Sequence, residues 1–251
     1  MTGLGDTPYA RITALMDRLR TECPWDSKQS FETIAPYTIE ESYEVMDAIE
    51  RGDMTDLKNE LGDLLFQVLF HAKMASEVDA FDFEDVCNGL VEKMVRRHPH
   101  VFEGGAQPDW DTIKAAEREL SGDARTLDGV AKSLPALMRA NKLQKRAAKR
   151  GFDWPDTNGP IEKLKEELDE VTEAVAAQDQ DQIEAEVGDL LFSVVNLARK
   201  LKVEPEQALR AANAKFTHRF NFVEDEASHN LDALNLDEME ALWQAAKQRG
   251  L

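Results

Sequence analysis

The chain has 251 residues, of which 42% are apolar, enough for one large domain or two of ordinary size and for a real core; wholesale disorder is argued against. Its formal charge of −19 repels DNA, RNA and anionic membranes, so no nucleic-acid or membrane partner is expected. A phosphate-rich substrate would have to be met by bound cations or by a local basic patch.

From the start of the sequence, Met1 to Asp17 lacks a basic stretch followed by an apolar run, so no signal peptide is expected there. Cys23 and Cys87, the two cysteines, form no C-x-x-C pair and join no His/Cys cluster. A zinc finger or disulfide scaffold is therefore disfavoured, and a reducing cytoplasm fits. The longest apolar run, Leu64 to Phe70, is interrupted by Gln67 and is far shorter than the ~20 residues of a membrane span. Gly104, Gly105 and Pro108 read as a loop, and a polar stretch around Ser121, Gly122 and Asp123 follows it. The expected organisation is a first domain over 1–105, a linker over 106–127 and a second domain over 128–251.

In the second half, Arg139, Lys142, Lys145, Arg146, Lys149 and Arg150 fall within one sector of a helix and predict a basic face. The matching stretch of the first half has only Arg11, Arg18 and Arg20, diluted by Asp17 and Glu22. From Pro160 to Gln178, Ile161, Leu164, Leu168, Val171 and Val175 step by three and four, an amphipathic helix with proline near its start. From Gln182 to Leu201 the pattern repeats with Ile183, Val187, Leu190, Leu191, Val194, Leu197, Ala198 and Leu201. No stretch alternates as a strand does, and the class is all-α.

The chain also repeats itself. Glu40, Glu41, Glu44, Val45, Glu60, Gly62, Asp63, Leu64, Leu65 and Phe66 recur 126 positions later (40 to 166, 66 to 192). Lys93 and Arg97 recur as Lys215 and Arg219 at a shift of 122, which a loop shorter by four residues explains. Trp110 with Lys114 resembles Trp243 with Lys247, a weaker match. Two tandem helical bundles are expected, each with short loops between antiparallel helices.

Each half therefore holds Glu-Glu-x-x-Glu and, sixteen positions after its last glutamate, Glu-x-x-Asp. Residues three and four apart share a helix face, and Glu167 and Glu186 lie at the edge of their apolar stripes. Packing two antiparallel helices by those stripes should gather Glu167, Glu170, Glu186 and Asp189 at one rim. Such a cluster repels itself unless a cation neutralises it, and an all-oxygen donor set suits Mg²⁺, Mn²⁺ or Ca²⁺ rather than zinc or copper. The first half offers Glu41, Glu44, Glu60 and Asp63 in the same way. One such motif in an acidic helical protein is usually a solvated face; two at identical spacing point to metal. Gly62 and Gly188, costly inside helices, suggest a close approach. A di-iron bundle needs two Glu-x-x-His pairs, and only Glu226 and His229 supply one. His71, His98, His100 and His218 share no spacing and read as structural or exposed.

These residues resemble the MazG family of nucleoside triphosphate pyrophosphohydrolases. The resemblance rests on the two carboxylate motifs, on Cys23-Pro24-Trp25-Asp26, on Arg96 to Phe102 (RRHPHVF) and on Ser133 to Ala140 (SLPALMRA). It spans nearly the whole chain and matches the tandem members. It implies a Mg²⁺-dependent enzyme cleaving between the α- and β-phosphates, a homodimer in which both chains complete the bundle, and catalysis in the second domain. Carried over by position, Glu167, Glu170, Glu186 and Asp189 would hold Mg²⁺, with Mn²⁺ able to substitute. Glu166 would orient or deprotonate the attacking water. Lys215 and Arg219 would contact phosphate, and Trp243 would contact the base. Lys163 would contact substrate, or else serve as an intrahelical partner of Glu166 and Glu167. The rival reading is a non-catalytic acidic scaffold that binds metal structurally.

Overall fold

The computed structural model describes residues 6–104, Ile113 and 125–251. Among them lie ten α-helices and no strand, as the periodicity predicts. The chain divides into two compact units, residues 1–116 and 117–251. Gly105, Pro108, Trp110, Lys114 and the polar stretch at 121–123 lie outside the described residues.

In the first unit, α1 (Pro8–Glu22), α2 (Phe31–Arg51), α3 (Met54–Ser76), α4 (Phe83–Arg97) and the single turn α5 (Pro99–Phe102) follow one another. Thr7, Asp53 and the paired capping boxes Ser30/Thr33 and Asp82/Asp85 supply the side chains that the free N–H groups at helix starts need. The core gathers Met16, Ile34, Leu69, Phe70 and Met74, with Phe70 fully buried. Arg20 seals its edge. Its guanidinium lies 5.5 Å from the Phe70 ring centroid, pairs with Glu77 at 2.6 Å and donates to the Gln29 carbonyl. His71 is structural: its Nε2 meets Thr38 Oγ1 at 3.0 Å and its ring stacks on Phe31.

The second unit contains α6 (Ala136–Ala148), α7 (Asn158–Ala177), α8 (Gln180–Lys200), α9 (Pro205–Glu226) and α10 (Leu236–Gln248). The hairpin α7–α8 repeats α2–α3 down to its turn. Gly52 and its counterpart Gln178 both take left-handed backbone, φ +69° and +57°, and the next residue, Asp53 or Asp179, caps the following helix. Gln178 accepts a conformation that usually falls to glycine.

The apolar stripes divide. Leu164 and Val171 are half-buried, whereas Ile161, Leu168 and Val175, seven apart on α7, stand 39%, 52% and 54% exposed. On α8, Val187, Leu191 and Val194 are exposed as well, as is Leu201 just past its end, and Leu61, Leu65 and Val68 repeat this on α3. One chain thus leaves apolar helix faces uncovered in both units. Gly62 and Gly188 sit on these open faces, with nothing within 4 Å of where a Cβ would stand. The close approach suggested for them is absent within each unit.

Candidate metal centre and active-site pocket

The α7–α8 hairpin sets the centre of the second unit. Glu167 falls on the inner face of α7, where its carboxylate is nearly buried, while Glu186 and Asp189 reach in from α8, one turn apart. One carboxylate oxygen from each of the three lies within 4.8 Å of the others. Glu41, Glu60 and Asp63 form the same group in the first unit. The fourth predicted ligand, Glu170 or Glu44, stands outside each group. It still feels the cluster: desolvation, then repulsion from Glu167 and Glu186, raises the Glu170 carboxyl above its ordinary range. Burial, followed by repulsion from Glu44 and Asp63, raises Glu41, and burial likewise raises Glu60. Three converging carboxylates held against mutual repulsion make a donor set that a hard divalent cation fits.

The two centres differ in one partner. Lys163, one turn before Glu167, pairs with it at 2.6 Å and with Glu166 at 2.9 Å. These hydrogen bonds, to Glu167 first, hold the lysine well above its usual range. Both intrahelical pairings expected of Lys163 are therefore present. Glu166 is exposed and tied to Lys163. At the equivalent place the first unit has Tyr37, and Glu41 is met instead by Gln67 Nε2 at 3.5 Å.

The centre of the second unit opens into a cavity of about 530 Å³. Lys163, Glu167 and Asp189 line it together with Leu143, Ala147, Phe152, Trp154 and Phe192. The segment Gly151 to Trp154 is fastened down by its own charge. Asp153 takes Arg199 Nη2 at 2.5 Å and Lys200 Nζ at 3.1 Å, and the Arg199 bond leads in pulling its carboxyl down to about 2. Lys200 also donates to the Trp154 carbonyl. A Cβ on Gly159 would come 2.0 Å from the Trp154 indole, so glycine there lets the ring lie against the first turn of α7. None of Phe152, Trp154, Gln144 or Asn196 was singled out from the sequence.

The remaining candidates lie on α9 and α10. Lys215 is exposed. Arg219 donates to the Leu251 carbonyl at 2.6 Å, with its guanidinium 5.8 Å from the Trp243 ring, which also meets Phe216 at 5.2 Å. Among the described residues, the cavity wall includes none of Lys215, Arg219 and Trp243. The basic face of α6 is partly engaged. Lys145 pairs with Glu204 at 2.7 Å, and Arg146 tacks down the carbonyl of Asp128.

Comparison with known proteins covers both hairpins. The model of the MazG nucleotide pyrophosphohydrolase domain matches residues 29–102 and 158–223. A nucleoside triphosphate pyrophosphohydrolase of Escherichia coli K12 is 48% identical over 254 residues, spanning 95% of this chain and 97% of that protein. The nucleoside triphosphate pyrophosphohydrolase/pyrophosphatase MazG of Thermotoga maritima is 42% identical over 247 residues, 95% of each chain. A MazG-related protein of T. maritima, solved by crystallography, aligns at TM-score 0.37 and 28% identity over 45% of this chain and 97% of its own. Identity at this level along nearly the full length, with the family model matched over the α2–α3 and α7–α8 hairpins, places the chain in the MazG nucleotide pyrophosphohydrolase family.

Proposed function

We propose that the chain hydrolyses nucleoside triphosphates between the α- and β-phosphates, releasing a nucleoside monophosphate and pyrophosphate, with Mg²⁺ as the working metal and Mn²⁺ able to replace it. The observation that carries this reading is the convergence of Glu167, Glu186 and Asp189, two of which, Glu167 and Asp189, line a cavity of about 530 Å³, in a chain of this family. These three residues, with Glu170 beside them, would hold the metal. When bound, such a cation offsets phosphate charge and lowers the pKa of a water it holds.

The side chains supply the rest. Glu166, beside the ligands and reached by Lys163, orients the attacking water or takes its proton. Lys163 offsets the buried charge of Glu167 and lines the cavity with it, where it would offer phosphate an ammonium. Lys215 and Arg219 are proposed phosphate contacts, and Trp243, whose ring lies near the Arg219 guanidinium, is a proposed base contact. A second copy of the chain would bring α9 to the site. The uncovered faces of α3 and α8, each with an open glycine among exposed Leu and Val side chains, support a homodimer.

The second domain, 128–251, is proposed to be the catalytic one, since the first unit has tyrosine in place of Lys163. Among the described residues no helix is long and apolar enough to cross a membrane. That fact and the charge of −19 support a cytoplasmic enzyme acting on small nucleotides. Chromatography of the products formed from ATP with Mg²⁺ tests the reading. AMP and pyrophosphate, abolished by chelation, are expected; ADP and orthophosphate would reject the α–β assignment. Metal binding without turnover of any triphosphate would favour the scaffold.

A further inference from the structure

Gly151 to Trp154 form a short strap between the end of α6 and the start of α7. Gly151, at φ +86°, turns the chain off α6, and the Phe152 N–H reaches back to the Ala147 carbonyl at 3.2 Å. Phe152 is 84% exposed and Trp154 38%, so burial of their rings does little to fix where the strap lies. Charge does that instead. Arg199 Nη2 donates to Asp153 Oδ1 at 2.5 Å, and Arg199 Nη1 and Lys200 Nζ meet Oδ2 at 3.1 Å each. A two-pronged guanidinium–carboxylate pair sets orientation as well as distance. Lys200 also donates to the Trp154 carbonyl.

The duplicated hairpin puts its matching residues to another use. Offsetting the sequence by 126 residues sets Arg199 and Lys200 of α8 against Lys73 and Met74 of α3. Met74 belongs to the first unit's core, and Lys73 pairs with Asp17 of α1 at 2.7 Å. One copy fastens a neighbouring helix with the end of its hairpin. The other fastens a strap whose two rings line the cavity that holds Glu167 and Asp189.

We propose that Asp153 is a positioning residue for the reaction: its latch on Arg199 and Lys200 holds the strap in the arrangement that receives the triphosphate. The proposal rests on the reading that the chain hydrolyses nucleoside triphosphates. Arg199 itself lines the cavity and donates to Asn196 Oδ1 at 2.6 Å, so one guanidinium fixes the strap and the α8 wall together. The latch acts on capture of the substrate rather than on the chemical step. Arg199 lies ten residues beyond Asp189 on α8, about 15 Å along the axis at 1.5 Å per residue. That exceeds the ~8–10 Å over which charges at a surface act through salt. A strap freed from its latch keeps the receiving arrangement only part of the time, and apparent affinity falls by that fraction.

The test is steady-state hydrolysis of ATP with Mg²⁺ by the full chain, comparing wild type, Asp153→Asn, Asp153→Glu and Lys200→Gln. Asp153→Asn should raise KM about tenfold, as for a strap correctly placed about a tenth of the time, and keep kcat within about twofold. Asp153→Glu, which keeps the charge, should recover most of that loss. Lys200→Gln, which spares the Arg199 fork, should raise KM by a smaller factor. An unfolded fraction behaves differently, lowering apparent kcat at unchanged KM. Wild-type KM in both Asp153→Asn and Lys200→Gln, or a rise in KM that Asp153→Glu does not reduce, would overturn the latch and leave the proposed activity standing. Failure of the wild type to hydrolyse any nucleoside triphosphate would overturn the activity and the latch together.

Discussion

Replacing Asp153 with asparagine removes the carboxylate that fastens the Phe152–Trp154 segment to the end of α8. Arg199 and Lys200, its partners, keep only 10% and 14% of their side-chain surface in water, so losing the carboxylate strands two shielded cations. The Asp153 carboxyl is lowered from 3.8 to about 2. At 1.36 kcal/mol per unit this is roughly 2 kcal/mol of differential stabilisation. Asp153 keeps 24% of its own exposure, and solvent screening brings the figure to about 1–2 kcal/mol. A depressed carboxyl pKa stabilises the fold above its unfolded value and loses that contribution as pH falls through the folded one. The gap between wild type and Asp153→Asn should therefore be full above about pH 4 and close as the pH approaches about 2. Urea unfolding of both proteins across that range measures it. Equal midpoints at neutral pH, or a gap that widens on acidification, would refute the reasoning.

Three further outcomes follow from the same geometry. Lys163→Met leaves Glu167 buried without its cation, so its melting temperature in chelator should fall, and added Mg²⁺ should raise it by more than in the wild type; equal Mg²⁺ shifts would contradict this. Gly159→Ala places a Cβ 2.0 Å from the Trp154 indole and should displace that ring at a cost of about 1–3 kcal/mol. Near-ultraviolet circular dichroism and urea midpoints identical to wild type would count against it. Light scattering should report a dimer at micromolar concentration, and Leu191→Glu on the uncovered face of α8 should shift it toward monomer. A stable wild-type monomer would remove the proposed role of the open faces.

The helices, their repeat and the carboxylate spacing were legible because each is a local pattern in the chain. Periodicity places the α7 helix at Pro160 to Gln178, and it forms over Asn158–Ala177, since an unbroken 3.6-residue stripe bounded by turn residues leaves little choice. What periodicity cannot divide is the stripe itself. Leu164 and Val171 turn toward the second unit's own helices while Ile161, Leu168 and Val175 turn away, and all five look alike in sequence. Nor does periodicity rank carboxylates on one face: Glu167 and Glu170 stand three apart, and only Glu167 enters the group of close oxygens. The glycines read as packing contacts because their cost in a helix is visible and their open surroundings are not.

The cavity was missed for a different reason. Its wall comes from α6, the 151–154 segment, α7 and α8, residues far apart in sequence that only the fold assembles. A signal did exist in the repeat. Where the halves agree at Glu41 and Glu167 they disagree at Phe70 and Asn196, and a large core residue replaced by a small polar one marks a space left open.

Steady-state kinetics of Asp189→Asn and Asp63→Asn, purified and shown to be folded, test the central claim most directly. Both residues belong to equivalent groups of three carboxylates, so metal binding alone does not distinguish them. With Mg²⁺ and ATP, Asp189→Asn should lower kcat by orders of magnitude, because the metal stabilises charge in the transition state. Asp63→Asn should keep most of the activity. The reverse pattern, or equal losses in both, would contradict a catalytic centre confined to the second unit.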